Sequence, residues 1–158
     1  MKKVILGEKK DNVKYDFRET CFGIIFMNDK FYLTEKNGEL SLVGGGVEAG
    51  EDHFETLKRE AIEEAGLQVL EMKDFITIDC FWHTRDNREM ESLANFYLVK
   101  VSDNIQEATE EESNLVIIDE KELLERISLP YQKKAIELYL QERWFYASYR
   151  YSFKIYKT

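Results

Sequence analysis

Glu60, Glu63 and Glu64 stand at i, i+3 and i+4 within Gly45–Leu67, the stretch GGVEAGEDHFETLKREAIEEAGL. On a helix, that spacing gathers their carboxylates on one face. Like charges so placed repel by roughly a few tenths of a kcal/mol per pair. A hard divalent cation reverses the sign, because Mg²⁺ and Mn²⁺ prefer carboxylate oxygen ligands. Arg59 precedes the first of these acids. It can pair with Glu51 if that residue folds back over the preceding loop, or with Glu55 or Glu63 one helical turn away. Upstream, Gly44-Gly45-Gly46 lets a loop bring backbone groups close to a ligand, and such a turn can aim a carbonyl at the same metal.

For three carboxylates alone, the ordinary explanation is a solvated acidic helix after a flexible glycine turn. The whole spaced pattern is harder to dismiss. Gly45, Glu51, Arg59, Glu60, Glu63, Glu64 and Gly66 have defined types at defined intervals. A chance match to seven such positions is on the order of 10⁻⁶ for a chain this long, at ordinary residue frequencies.

The element that must position these groups is written locally. Asp52 and Glu55 have capping-box spacing, His53 to Ala65 contains no Pro or Gly, and Gly66 sits where a C′ glycine belongs. Phe54, Leu57 and Ala61 share a face that can pack on a core while the glutamates occupy another.

At these residues the sequence resembles the Nudix hydrolase superfamily, MutT-like proteins whose signature is Gly, five residues, Glu, seven residues, then Arg-Glu-apolar-any-Glu-Glu-any-Gly-apolar. The match is complete with Ala61 as the small apolar member. The resemblance implies a metal-dependent pyrophosphatase using Mg²⁺ or Mn²⁺, acting on a nucleoside diphosphate linked to another group. It implies that Glu60, Glu63 and Glu64 bind metal, with the Gly44 carbonyl as a further ligand, while Glu51 and Arg59 brace the loop against the helix. Family members often carry Trp-any-Leu-Pro before the glycines, where this chain has Leu40-Ser41-Leu42-Val43. The family often supplies one more glutamate, as ligand or general base, from a region matching the acid-rich segment Asp103 to Glu112. A Trp often marks the register on the following strand, but Leu115 stands there. Glu111 and Glu112 are the candidates, ahead of Glu107.

Length and composition bound the remaining possibilities. With 158 residues, 44% hydrophobic and 13% aromatic, the expectation is a single folded domain over 1–158. No apolar run approaches a membrane span, and Val4-Ile5-Leu6 is too short for a signal-peptide core. Cys21 and Cys80 form no CxxC, and they read as reduced, buried thiols of a cytoplasmic protein. The net charge of −9 disfavours duplex nucleic acid and anionic membranes as partners, and it calls for cations if the substrate is a polyphosphate.

Strands are expected at Thr20–Met27, Phe31–Thr34, Leu40–Val43, Leu67–Leu70, Phe75–Trp82, Ser92–Val101 and Leu115–Ile118, with one or two more between Lys3 and Phe17. Helices are expected at Glu120–Ile127, capped by Asp119 and Glu122, and at Tyr131–Arg143 after Pro130. Arg18 either holds a substrate phosphate or is a surface arginine. Gly45 and Gly46 offer backbone to a substrate. The polar loop His83–Glu91 can frame a pocket in which His83 contacts substrate and Phe81, Trp82, Phe96 or Tyr97 offers a stacking face. Two histidines, His53 and His83, are too scattered for a zinc site. The tail Trp144–Thr158, rich in aromatics and carrying Arg150, Lys154 and Lys157, reads as packing on its own domain or on a second subunit of a homodimer.

The fold expected is α/β or α+β, a mixed, largely antiparallel set of strands carrying the Gly45–Leu67 loop-helix. The resemblance makes this an α/β/α sandwich. The function expected is nucleotide pyrophosphohydrolysis on a nucleoside triphosphate, ADP-ribose or nucleotide sugar. A catalytically silent nucleotide-binding regulatory module is the alternative.

Overall fold

A computed structural model describes the backbone of residues 1–155 and the side chains of residues 1–145. In chain order its elements are β1 (Lys2–Leu6), β2 (Asp16–Met27), β3 (Lys30–Lys36), β4 (Glu39–Ser41), β5 (Val43–Gly46), α1 (His53–Ala65), β6 (Val69–His83), β7 (Glu89–Val101), β8 (Ser113–Ile118), α2 (Glu120–Arg126) and α3 (Pro130–Ile155). The run Thr20–Met27 is apolar on both sides because β2 lies at the centre, buried on both faces. Cys21 and Ile25 face one layer, and Phe22 and Ile24 face the other.

The first layer is α1. Leu57, Ala61 and Ala65 pack on Cys21, Ile25, Val43 and Val99. The second is α2 and α3, whose Leu123, Tyr131, Ala135, Ile136 and Leu140 cover Phe22, Ile24, Phe31, Leu33, Ile78 and Phe96. The result is an α/β/α arrangement around a mixed sheet. β1 runs parallel to β6 and β2 parallel to β7, and the other pairings are antiparallel.

One edge of β2 changes partner midway. Thr20–Gly23 pairs with β5, whereas Ile25–Met27 pairs with β3, which in turn carries β4 and β8. The sheet therefore splits beside Gly23, and β5 and the β3–β4 hairpin line opposite sides of a cleft.

Helix α1 has the expected ends. Asp52 Oδ1 accepts from the Glu55 N–H at 2.8 Å, and Glu55 Oε2 accepts from the Asp52 N–H at 2.8 Å. Gly66 turns left-handed at φ 62°, its N–H reaching the Ile62 carbonyl. Several boundaries differ from expectation: β2 and β8 start earlier, and the strand expected at Leu40–Val43 breaks at Leu42, so that Gly44–Gly46 belong to β5 rather than to a loop. β6 is one strand from Val69 to His83, because two register shifts against β7 absorb the polar segment around Glu71–Asp74. β7 begins at Glu89, since Glu89–Glu91 pair with Phe81–His83 despite their polarity. α3 continues through Ile155 rather than ending at Arg143. Trp144 and Phe145 are exposed. The rest of the aromatic segment expected to pack on the domain or a second subunit lies outside the residues whose side chains are described.

Gly44 has a φ of 142°, and a Cβ there would lie 2.1 Å from the Cys21 carbonyl oxygen. Gly50, at φ 85°, has open space around the same position. Gly44→Ala is therefore expected to cost about 3 kcal/mol or more, combining backbone strain with overpacking. Gly50→Ala should cost only the strain, roughly 1–2 kcal/mol. Chemical denaturation of the two variants checks this, and equal losses would refute the close-approach argument.

Candidate active site

The loop from β5 to α1 is folded back onto the helix by one carboxylate. Glu51 accepts from Arg59 Nε at 2.7 Å and Nη2 at 3.0 Å, from Thr56 Oγ1 at 2.7 Å and from the Glu48 N–H at 3.2 Å. The Arg59 hydrogen bonds, followed by that from Thr56, push the Glu51 carboxyl down to about 2. Arg59 spends its remaining donors on Glu60 Oε1 at 3.0 Å, Glu63 Oε2 at 3.3 Å and the Gly46 carbonyl at 3.4 Å. The Glu55 alternative is not taken, since Glu55 is committed to the cap.

The three helix glutamates differ in environment. Glu63 is half-exposed, while Glu60 keeps only 15% of its side chain open. Burial raises the Glu60 carboxyl above its ordinary value even with Arg59 beside it. Glu64 is pushed up to about 8, first by burial and then by the negative charge of Glu60. Its Oε2 accepts from the Gly44 N–H at 3.4 Å. Glycine at 45 is what lets Glu60 meet the strand, because a Cβ there would fall 2.5 Å from Glu60 Oε1.

These groups open into a cavity of about 850 Å³ at the split in the sheet. Arg18, Gly44, Gly45, Glu60, Glu63 and Glu64 line it. Gly46 flanks it with Arg18 against its backbone, and Glu51 and Arg59 stand behind as the brace.

Other expected residues are elsewhere. Phe81 packs edge-on against Tyr15, its ring 5.5 Å from Lys9 Nζ, and His83 pairs with Glu89 and Asn87. Tyr97 is buried beneath α1 with its hydroxyl on His53 Nδ1. None of the three lines the cavity: Phe81 and His83 are engaged with neighbours at the β6–β7 turn, and Tyr97 faces the α1 layer.

The acidic segment also needs correction. Its glutamate on the cavity wall is Glu110, whereas Glu111 lines a separate hollow beside Gln106 and Glu107, and Glu112 is exposed. The Glu110 N–H donates to the Glu63 carbonyl at 2.8 Å, which fixes the register that Leu115 left open. The Glu110 carboxylate forms an ion pair with Lys36 and accepts from Ser113 Oγ at 3.0 Å. Sequence reasoning also missed Thr20, Lys36, Tyr131 and Gln132 on the wall. Their only signals were a strand start, a turn and a helix start.

The donor set fits a hard divalent cation. It is all oxygen and partly buried, and burial holds the Glu60 and Glu64 carboxyls above their ordinary range. Among the described residues no three acidic, thiol or imidazole side chains yet converge on one point. Arg59 draws Glu60 and Glu63 to itself.

A NUDIX domain family model matches residues 17–139. The chain belongs to the Nudix family. Membership implies pyrophosphohydrolase activity. A search of curated proteins returns no match. Among solved structures it is similar to a Nudix hydrolase from Nitrosomonas europaea, with TM-score 0.65 and 18% identity over 80% of this chain and 90% of that one. It is also similar to a MutT protein from Bacillus halodurans, with TM-score 0.63 and 22% identity over 76% and 80%. A MutT Nudix hydrolase from Burkholderia pseudomallei gives TM-score 0.60 and 20% identity over 77% and 97%. At these identities the likeness speaks for the fold. Among the described residues no helix of this Nudix chain is long and apolar enough to cross a membrane.

The carboxyl shifts give a pH dependence. Glu64 binds its proton more tightly when folded, so its share of stability is full below about 4.5 and is lost as pH rises through about 8. Glu51 acts in the opposite sense, its stabilisation being lost as pH falls from about 4.5 through about 2. In chelator, thermal unfolding is expected to show stability declining from pH 5 to 8, Glu64→Gln to flatten that decline, and Mg²⁺ to raise the midpoint most at pH 8. An unchanged slope in the variant would refute the assignment.

Proposed function

We propose that this Nudix hydrolase cleaves a phosphoanhydride in a nucleoside diphosphate linked to another group, with Mg²⁺ or Mn²⁺ as cofactor. The observation carrying this reading is the meeting of the α1 carboxylates with a substrate-sized cavity across a strand that has no side chains between them. Glu60, Glu63, Glu64 and the Gly44 carbonyl would hold the ion, with Glu110 in the place expected for Glu111 or Glu112. When bound, such an ion neutralises the diphosphate and acidifies a water molecule.

The chain's own residues do the rest. Arg59, fixed bidentately to Glu51, holds the loop and orients Glu60 and Glu63. Arg18 forms no ion pair with a described residue and can meet a phosphate oxygen. Lys36 lies across the cavity and can do so once it leaves Glu110. The proton of the attacking water passes to a carboxylate on the cavity wall, for which Glu60, Glu64 and Glu110 are in place. The reduced, buried Cys21 and Cys80 support a cytoplasmic setting, and one domain suffices for the chemistry.

A Mg²⁺-dependent screen over nucleoside triphosphates, ADP-ribose, nucleotide sugars and dinucleoside polyphosphates tests this, with products separated by chromatography. Glu63→Gln and Glu64→Gln are expected to lower kcat by roughly 10²-fold or more. Glu51→Gln, which loosens the support of a ligand, should cost roughly 10–100-fold. Metal-dependent nucleotide binding without turnover of any compound would instead favour a silent regulatory module.

A further inference from the structure

Thr20 is 3% exposed, and its Oγ1 is buried without a hydrogen-bond partner among the described residues. It lies on β2 opposite Gly46, on the face that carries Arg18 and Phe22 into the cavity. Buried hydroxyls are ordinarily paired, and leaving one unpaired costs free energy that an isosteric valine would avoid. Nothing in the packing of the strand accounts for the hydroxyl.

Its surroundings have the same character. Arg18, two residues earlier, lies along the Gly46 backbone, with Nη2 3.1 Å from where a Cβ would stand. The Tyr131 hydroxyl makes no hydrogen bond among the described residues, although the residue is buried and lines the cavity. Gln132 is locked as a wall, its Oε1 accepting from the Leu42 N–H at 2.8 Å and its Nε2 donating to Ser41 Oγ at 3.0 Å.

The aromatic rings here are unavailable as a stacking shelf. The rings of Phe22 and Tyr131 are taken up by packing on one another and on Phe96 and Trp82. This end of the cavity therefore presents hydroxyls and a cation beside the glycine strand, with no open ring face for a base.

We propose that this subsite binds the ribose of the substrate, with Thr20 pairing a ribose hydroxyl and so favouring ribonucleotides over deoxyribonucleotides. The inference rests on the hydrolase reading above. A site built to pair a substrate hydroxyl discriminates strongly against the analogue that lacks it.

The test is kcat/KM for ATP and GTP, and for any better substrate from the screen, each beside its 2′-deoxy and 3′-deoxy counterparts. Wild type is expected to prefer the ribo form over one deoxy form by ~10-fold, mostly through KM. Thr20→Val should bring that ratio close to one, Thr20→Ser should keep it, and Thr20→Ala substitutes if valine compromises folding. Equal use of ribo and deoxy forms by wild type, or a ratio that survives Thr20→Val and Thr20→Ala, would overturn the proposal. Failure of wild type to hydrolyse any compound would defeat the hydrolase reading instead, so the two failures are distinguishable.

Discussion

Gly44 and Gly45 are pressed from opposite sides. A Cβ on Gly44 would strike the β2 backbone, and one on Gly45 would strike the Glu60 carboxylate. β5 is thus paired into the sheet while its bare backbone touches the acidic face of α1. Leu57, Ala61 and Ala65 can seat the helix close to the strand because no side chain intervenes. A Cβ at position 44 would have to shift the β2 backbone, whereas one at position 45 would push the Glu60 carboxylate aside, and either move would disturb the carboxylates beside the cavity. The depth of the site, and the burial that raises Glu60 and Glu64, follow from that contact.

Charge within the site is set by how far one guanidinium reaches. Arg59 satisfies Glu51 with two parallel hydrogen bonds and still touches Glu60, Glu63 and the Gly46 carbonyl. A lysine has no planar fork and could not span that set. Glu51 is consequently held ionised, whereas Glu64, held only by a long bond from a backbone N–H, is governed by burial. Two carboxylates on one loop-helix unit are driven in opposite directions by the same geometry. Glu51 serves as a fixed anchor, and Glu64 is a site that gains from positive charge.

What could be read from sequence was what is locally encoded. The cap at Asp52, the stop at Gly66 and the placing of Glu60, Glu63 and Glu64 along one cavity wall all depend on residues within a few turns of each other, and each is present. Arg59 and Glu51 were legible as a pair for the same reason. Glu110 was not, because its place depends on a backbone bond to Glu63 across forty-odd positions of chain, and the neighbouring Glu111 and Glu112 are chemically equivalent in a string of letters. Phe81 and His83 lie off the cavity because a polar loop does not say which end of the sheet faces the split, and Tyr97 because the letters do not say which face of β7 lies under α1. Thr20 carried no signal beyond opening a strand. Its meaning comes from being buried and unpaired, which only a folded chain can show.

The change of partner along β2 explains why the chain can hold a demanding metal site and a recognition wall within one small sheet. Alternate residues of one strand serve different layers: Cys21 belongs with Val43, Leu57 and Ala61 under α1, and Phe22 belongs with Tyr131 and Phe96 under α3. The α3 side reaches the cavity through Phe22 and Tyr131, and α1 reaches it through Glu60, Glu63 and Glu64, where β5 gives way to β3. Changes on the α3 side can therefore reshape the recognition wall without repacking the residues that seat α1, since sites without shared partners contribute nearly independently. The glycine backbone is the exception. It touches Arg18 on one side and Glu60 on the other, so substrate recognition and the carboxylate cluster are coupled through Gly45 and Gly46.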